Sequence, residues 1–150
     1  MKKAIWCLAL VFLASCGTRM DDDAWGTDFA AAKKTAAKKK LPICAIFTGS
    51  DWCPWCRKLN SEVLSTDEFK KYAKDNLVLF TADFPQHKKL PEKAAKQNQE
   101  LFEKYHLEGF PTVLLLDADG NELARTGYRP GGAGFYIEHI RGLLAKEKKE

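Results

Sequence analysis

The chain has 150 residues, of which 45% are hydrophobic, 29% charged and 11% aromatic. This composition is that of an ordinary globular protein and excludes a disordered or collagen-like chain. The length predicts one domain, and no internal repeat indicates a solenoid. Because 24 lysines and arginines face 20 acids, the formal charge of +4 is too small to indicate a nucleic-acid partner.

The first residues have the composition of an export signal. Two lysines precede an unbroken apolar run over residues 4–14. A run of this length is too short to cross a bilayer, which takes about 20 helical residues, and a charged start with small residues after the run is typical of a signal peptide. The letters LASC at residues 13–16 resemble a bacterial lipobox. The resemblance implies cleavage before Cys16 and a lipid on its sulfur; a signal cut elsewhere, or a short uncut anchor, is the alternative.

These features predict the organisation of the chain. We expect a lipoprotein signal peptide at residues 1–15, a lipidated N-terminus and tether at 16–24, and one domain at 25–150. Removing residues 1–15 removes two lysines and no acid, so the formal charge falls from +4 to +2. The mature protein is expected outside the cytoplasm, on the periplasmic side if the envelope is Gram-negative, and several acyl chains on Cys16 would hold it stably to a membrane.

Hydrophobic spacing predicts the elements in chain order. The first is an amphipathic helix with an apolar face formed by Trp25, Phe29, Ala32 and Ala36. An apolar run at residues 41–48 then predicts a buried strand, in which Cys44 is expected to be an inert core residue. The next elements are a helix at 54–64, a short helix at 66–74, a strand at 77–82, a basic proline-bounded segment at 84–91 and a helix at 92–105. We expect the basic segment to be a solvated loop, with docking of a partner as the alternative.

The last third of the chain carries a hairpin signal. Asp119-Gly120 predicts a tight turn between strands at 112–117 and 122–128. Three glycines at 131, 132 and 134 predict a flexible loop before a final helix at 135–146. Strands separated by helices are expected to pair in parallel, and the hairpin strands antiparallel. The predicted fold is therefore α/β, with a mixed central sheet of four to five strands and helices on both faces.

The chemistry is concentrated in Cys53-Pro54-Trp55-Cys56, where a strand ends and a helix begins. A helix N-terminus stabilises a thiolate on Cys53 and lowers its pKa. The spacing of three residues brings the two Cα atoms within disulfide reach. We expect the Cys53 sulfur to face solvent and attack, and the Cys56 sulfur to sit deeper and resolve.

Two other uses of the cysteine pair are less consistent with the sequence. A zinc site needs about four ligands, and no second cysteine pair is present, while His87, His106 and His139 are scattered. A purely structural bridge across so short a gap would constrain little chain entropy. We therefore expect a redox-active disulfide, with no metal and no separate cofactor.

The sequence resembles the thioredoxin superfamily over residues 25–146. The resemblance rests on Trp52-Cys53-Pro54-Trp55-Cys56 after a buried strand and on Gly109-Phe110-Pro111-Thr112 before the penultimate strand. It implies a thioredoxin-like fold, Cys53 as nucleophile and Cys56 as resolving residue, with support from Trp52, Pro54, Trp55, Phe110 and Pro111. It also implies that Pro111 is cis beside the sulfurs, which would leave the Phe110 backbone free to pair with an extended substrate.

The chain departs from the family pattern in two places. Thioredoxins proper carry a buried acid six residues before the first cysteine, where this chain has Phe47. The dipeptide between the cysteines is Pro-Trp, whereas thioredoxins have Gly-Pro, strong oxidases Pro-His and glutaredoxins Pro-Tyr. Because Trp55 cannot carry a positive charge, the pKa of Cys53 is expected to be only moderately low, which favours reduction or isomerisation over oxidation.

The predicted function is a membrane-anchored thiol–disulfide oxidoreductase acting on the disulfides of exported proteins. A reducing enzyme outside the cytoplasm must be recharged, so a membrane electron donor is a predicted partner. A non-catalytic binding protein with the same fold, and a glutathione-dependent reductase, are the alternatives.

Overall fold

The computed structural model describes residues 24–147. The strands are β1 (Trp25–Gly26), β2 (Ile43–Thr48), β3 (Val78–Asp83), β4 (Thr112–Leu116) and β5 (Glu122–Thr126). The helices are α1 (Phe29–Lys39), α2 (Pro54–Leu59), α3 (Asp67–Asn76), α4 (Glu92–Lys104) and α5 (Gly132–Glu147). The predicted signal peptide and the lipidation site at Cys16 lie outside the described residues. Within residues 24–147, no helix is long and apolar enough to cross a membrane.

The five strands form one mixed sheet, as predicted, and their order is β1-β3-β2-β4-β5. β3 lies parallel to β2, and β5 lies antiparallel to β4. The expectation that strands separated by helices pair in parallel is wrong for β4, which is antiparallel to β2. The reason is that Thr112, the first residue of β4, pairs with Phe47 near the end of β2, so the chain enters β4 from the end at which β2 finishes.

Two hydrophobic clusters cover the two faces of the sheet, because successive side chains of a strand point to opposite faces. Cys44 and Ile46 of β2 pack with residues of α2, α3 and α5. Ile43, Ala45 and Phe47 pack with residues of α1 and α4. The predicted helices on both faces are therefore present, and β2 lies at the centre of both clusters.

The first helix begins later than its apolar spacing suggests. Asp28 caps α1, and its carboxylate accepts the backbone N–H of Ala31 at 2.9 Å. Trp25 precedes this cap and lies in β1, opposite Leu79 of β3, so its assignment to the helix is wrong. Phe29, Ala32 and Ala36 are buried on the inner face of α1, as predicted.

The helix that follows the cysteines changes its hydrogen-bonding pattern midway. The predicted helix over residues 54–64 is α-helical only to Leu59 and continues as a π-helical turn over Asn60–Leu64. The backbone N–H of Ser65 donates to the Asn60 carbonyl at 2.9 Å and closes this wider turn. Leu59 and Val63 are fully buried, so the predicted inner face is confirmed.

The glycines before the last helix do not form a loop of their own. α5 begins at Gly132, so Gly132 and Gly134 belong to the helix. Gly131 and Gly132 have φ angles of +121° and +76°, which glycine adopts readily and other residues rarely do. Gly134 lies against α3, because a Cβ there would come within 3.0 Å of the Glu68 carboxylate. These glycines turn the chain and allow close packing.

Candidate redox site at the start of α2

The cysteine pair lies at the junction between β2 and α2, at the carboxyl end of the central strand. The Cys53 N–H donates to the Gly49 carbonyl at 2.8 Å and closes the loop. Cys53 then caps α2, and Pro54 takes the first helical position, where its missing N–H costs nothing. A disulfide joins Cys53 to Cys56, and their Cα atoms are 5.3 Å apart.

Backbone groups surround both sulfur atoms. The Cys56 N–H donates to Cys53 Sγ at 3.2 Å, and the Gly49 N–H donates to Cys56 Sγ at 3.5 Å. Hydrogen bonds of this kind favour the thiolate over the thiol. The predicted position of Cys53 at a helix N-terminus is confirmed, and its sulfur accepts one of the N–H groups that the helix leaves unpaired, that of Cys56.

The predicted difference in exposure between the two cysteines is absent. Cys53 is 3% exposed and Cys56 is 2% exposed, so the expectation of a solvent-facing first sulfur is wrong in this disulfide form. Cys53 is turned toward the Phe110 carbonyl, whose oxygen lies 3.9 Å from its Sγ. Trp55 is the exposed residue of the motif, with 56% of its surface accessible.

The second predicted motif lies beside the first. The peptide bond between Phe110 and Pro111 is cis, which confirms the conformation implied by the family resemblance. The Phe110 ring contacts the Trp52 ring edge to face, with centroids 5.7 Å apart. It also contacts the ring of Phe84 at 5.1 Å and that of Phe102 at 5.7 Å. The supporting residues Trp52, Phe110 and Pro111 are therefore brought together.

Trp52 is held in two further ways. Its indole N–H donates to the Phe84 carbonyl at 2.8 Å. Gly49 lies under the indole, where a Cβ would overlap the ring. The sequence identified Trp52, but it gave no sign that Gly49 makes room for it or that Phe84 binds it from 32 residues away.

Trp55 belongs to a separate surface group. Its ring lies 5.3 Å from the Tyr128 ring, and Lys58 Nζ lies 5.4 Å from the Trp55 centroid and 5.3 Å from the Tyr128 centroid. The Tyr128 hydroxyl donates to Glu62 at 2.7 Å, and Glu62 lies 3.9 Å from Lys58. The sequence did not identify Tyr128, because nothing local connects it to α2.

The segment after β3 is a loop whose residues 86–89 are exposed, as expected, and its backbone also binds the residues before Cys53. Asp51 accepts the backbone N–H of Gln86 at 2.9 Å and that of His87 at 2.8 Å. Burial opposes ionisation of Asp51, but these N–H groups outweigh it and hold the pKa of the carboxyl below its usual range. Ser50 donates through its N–H and hydroxyl to Asp83, at 2.9 and 2.7 Å.

A cavity of about 440 Å³ extends to Cys56. It is lined by Trp25, Ile46, Thr48, Ser50, Cys56, Arg57, Asn60, Leu64 and Thr81. Phe47 is fully buried elsewhere, with its ring 6.2 Å from that of Tyr105. The polar residues that line this cavity carry hydroxyls, an amide, an indole and the guanidinium of Arg57, and none of them is an acid. Across residues 24–147, no cluster of three or more His, Cys, Asp or Glu residues could hold a metal ion.

Fold and site together define a thioredoxin-like protein: a mixed sheet, a CxxC pair at a helix N-terminus and a cis-proline beside it. The family model for a thioredoxin-like domain matches residues 29–133, and the chain belongs to this family. The resemblance and the fold predicted from the sequence are confirmed.

Within the thioredoxin-like family, proteins similar to this chain are thiol–disulfide oxidoreductases. The chain is 40% identical over 116 residues to the disulfide bond reductase DsbH of Chlamydia pneumoniae, covering 77% of this chain and 70% of that protein. It is 31% identical over 121 residues to the thioredoxin-related protein DsbJ of the same organism, covering 80% of this chain and 35% of DsbJ. A solved DsbH oxidoreductase structure superposes with a TM-score of 0.77 at 39% identity, covering 81% of this chain and 83% of that one.

Proposed function

We propose that the protein is a membrane-anchored, extracytoplasmic thiol–disulfide oxidoreductase that reduces or isomerises disulfides in exported proteins. The observation that carries the proposal is the Cys53 sulfur at the start of α2, which accepts the Cys56 N–H while Cys56 lies within disulfide reach. No other cofactor is needed, because the two sulfurs store the two electrons.

The reaction has two exchange steps. The Cys53 thiolate attacks one sulfur of a substrate disulfide, forming a mixed disulfide and releasing the other substrate sulfur as a thiolate that takes up a proton. The Cys56 thiol loses its proton and attacks the Cys53 sulfur, which releases the second substrate thiol. The substrate gains two electrons and two protons, and the enzyme is left with the Cys53–Cys56 disulfide.

The surroundings of the sulfurs support this division of roles. The Cys56 N–H stabilises negative charge on Cys53, the attacking atom. The Gly49 N–H stabilises negative charge on Cys56, and Thr48 and Thr81 line the cavity beside it, so we propose that their hydroxyl groups carry its proton toward water. This route takes the place of the buried acid that thioredoxins proper carry where this chain has Phe47.

The reducing direction is supported by the charges near the motif. Trp55 occupies the place of the histidine in strong oxidases, and it carries no charge. The ammonium of Lys58 lies 3.9 Å from the Glu62 carboxylate, which weakens its field at the sulfurs. A relative that covers most of the chain is named a disulfide bond reductase. We expect a reduction potential nearer the roughly −270 mV of thioredoxin than the roughly −120 mV of a strong oxidase.

Trapping of intermediates tests the reaction. Replacing the resolving residue, Cys56→Ser, should leave mixed disulfides between Cys53 and exported proteins, and a reductant should release them. The matched control is Cys53→Ser with Cys56→Ser, which should trap nothing. Recovery of no adduct from the single variant would instead support a non-catalytic binding protein. Turnover that requires glutathione would support a glutathione-dependent reductase.

The direction is tested by equilibrating the protein with glutathione buffers while the Cys53 thiolate is titrated by its absorbance. A potential above about −150 mV together with a Cys53 pKa below about 5 would make the protein an oxidase.

Anchoring and recharging need separate tests. Cys16→Ser in the full chain should move the protein from the membrane fraction to the soluble extracytoplasmic fraction. The Cys53–Cys56 pair, trapped by acid in growing cells, should be mainly reduced if a membrane electron donor recharges it. A mainly oxidised pair would contradict the predicted donor.

A further inference from the structure

Three consecutive residues before Cys53 each bind the last residue of β3 or the segment that follows it. Ser50 donates to the carboxylate of Asp83, Asp51 accepts from the backbone at residues 86 and 87, and Trp52 donates to the Phe84 carbonyl. Donors and acceptors lie on both sides. The two segments are therefore tied to each other rather than merely adjacent.

The same segment also reaches the loop that contains the cis-proline. The Phe84 ring lies 5.1 Å from the Phe110 ring, and the Phe110 carbonyl is 3.9 Å from Cys53 Sγ. Residues 84–87 therefore support the loop before Cys53 on one side and the Phe110–Pro111 loop on the other. Movement of this segment would therefore act on the loop that carries Cys53 and on Phe110, whose carbonyl lies beside the Cys53 sulfur.

Among the contacts just described, those of Asp51 are different: a single ionised carboxylate accepts hydrogen bonds from two successive backbone N–H groups. Each carboxylate oxygen takes a different N–H, one from Gln86 and one from His87. Charge-assisted hydrogen bonds are about twice as strong as neutral ones. His87 Nδ1 lies 3.8 Å from the same carboxylate. The geometry of the segment therefore depends on Asp51 more than on the identity of the residues it binds.

We propose that Asp51 is a positioning residue for thiol–disulfide exchange, which holds residues 86 and 87 against the loop before Cys53. In doing so it keeps the Cys53 sulfur beside the Cys56 N–H and the Phe110 carbonyl. The inference rests on the proposed function of the Cys53–Cys56 pair. It assigns a role to the basic segment at residues 84–91 that requires no docked partner.

Positioning and simple electrostatics predict opposite results when Asp51 is removed. If Asp51 acts only as a nearby negative charge, its loss should stabilise the Cys53 thiolate, lower the Cys53 pKa and speed alkylation at neutral pH. If it positions the loop, its loss should move the sulfur away from the Cys56 N–H, raise the Cys53 pKa and slow the reaction. The sign of the change separates the two.

A second aspartate in the chain gives a matched control. Asp117 accepts the backbone N–H groups of Asp119 and Asn121 at 2.9 and 2.8 Å, in the turn between β4 and β5. This turn lies at the opposite end of the sheet, because Leu116 pairs with Ile43, the first residue of β2. Asp117→Ala therefore removes a similar set of hydrogen bonds without touching the site.

The experiment measures the pH dependence of Cys53 alkylation and the rate of exchange with a peptide disulfide, for the full chain and its variants. In Asp51→Ala the apparent pKa of Cys53 should rise by about one pH unit, and exchange at neutral pH should slow about tenfold. Asp51→Asn keeps one acceptor oxygen and should give a smaller change of the same sign. Asp117→Ala should leave both quantities unchanged while losing comparable stability to denaturant.

A Cys53 pKa that falls or stays constant in both Asp51 variants would overturn the proposal, as would an equal rise in Asp117→Ala. If Asp51→Ala fails to fold, the sign of the change in Asp51→Asn decides. Absence of exchange in the unaltered protein would refute the proposed function, whereas the alkylation data would still decide whether Asp51 positions Cys53.

Discussion

Cys44 and Cys53 lie nine positions apart in the sequence and are both buried, at 0% and 3% exposure. Cys44 is the second residue of β2, the central strand, between Leu79 of β3 and Leu115 of β4. Burial raises the pKa of its thiol to about 12. Cys53 is at the start of α2, where the Cys56 N–H donates to its sulfur. The two cysteines are thus similarly buried but have very different surroundings.

The difference shows that the reactivity of a buried thiol depends on whether nearby backbone N–H groups are free to donate a hydrogen bond to it. In the centre of a sheet the ladder uses the N–H groups on both sides of a strand, and Cys44 packs in a hydrophobic cluster where none of them is left to stabilise a thiolate. At the start of a helix the first N–H groups have no carbonyl partner and can stabilise a thiolate. The transition from β2 to α2 therefore places one cysteine where it is inert and the next where it can react.

The largest expected effect comes from removing each sulfur in turn. Cys53→Ser should lower disulfide exchange by about three orders of magnitude or more, because the nucleophile is lost. Cys44→Ala should leave the rate per folded molecule within about twofold, with only a modest loss of stability from the small cavity. A reductase assay on both variants checks this, and a large rate loss in Cys44→Ala would break the comparison.

The second effect concerns the reactivity of Cys44 itself. With its pKa raised to about 12, Cys44 should be alkylated in the folded protein about three orders of magnitude more slowly than in the unfolded chain, where a thiol titrates near 8.5. Mass spectrometry after iodoacetamide treatment, with and without denaturant, measures the ratio. Cys53 in the reduced folded protein should react first; rapid native labelling of Cys44 would contradict its assignment as a core residue.

Much of the fold was predictable because its signals are local. The apolar run of β2, the Cys-Pro-Trp-Cys motif and the Asp119-Gly120 turn each act over a few residues, and the structure places them as expected. Trp25 was misplaced because helical spacing continues across the Asp28 cap, although aspartate is a favoured residue at that position. The direction of β4 was wrong because it depends on where a long connection returns, which no local pattern records.

The walls of the site were not predictable for a related reason. Asp51 binds the backbone of Gln86 and His87, which are 35 and 36 positions further along the chain. Tyr128 donates a hydrogen bond to Glu62, which is 66 positions earlier. Backbone donors carry no side-chain signature, and a tyrosine near a glycine-rich segment has many possible uses. The cysteine pair of the candidate site could be found from the sequence, whereas the groups that hold it in place required the fold.

A smaller effect is expected from Trp52→Phe. The variant keeps a ring against Phe110 but removes the indole N–H that donates to the Phe84 carbonyl at 2.8 Å. We expect a loss of about 1 kcal/mol in the free energy of unfolding and a few-fold slower exchange, because the loop before Cys53 is less firmly held. Urea unfolding and the exchange assay measure the two quantities. The reactivity of Cys44 should be unchanged, and a variant with full activity would show that the Cys53 environment does not depend on this bond.

The smallest expected effect is on the pH dependence of stability, to which Asp51 beside the cysteine pair and Asp117 in the turn after β4 should both contribute. Burial opposes ionisation of Asp51 and Asp117, but hydrogen bonds outweigh it and hold both pKa values below the usual range: backbone N–H groups at Asp51, and the Asn121 side-chain amide with backbone N–H groups at Asp117. A lowered pKa in the folded state gives stability that is present above the unfolded value of about 3.9 and is lost as the pH falls through the folded value. Solvent screening keeps each contribution small.

Urea unfolding between about pH 3 and 6 should show a shallower acid slope in Asp51→Asn and in Asp117→Asn than in the unaltered protein. Only Asp51→Asn should also change the rate of Cys53 alkylation, whereas Cys44→Ala should leave the acid slope as it is, because a buried thiol with a raised pKa stays neutral throughout that range. An acid slope that is the same in all three variants would show that neither aspartate contributes, and that the hydrogen bonds to the two carboxylates have no measurable effect on stability.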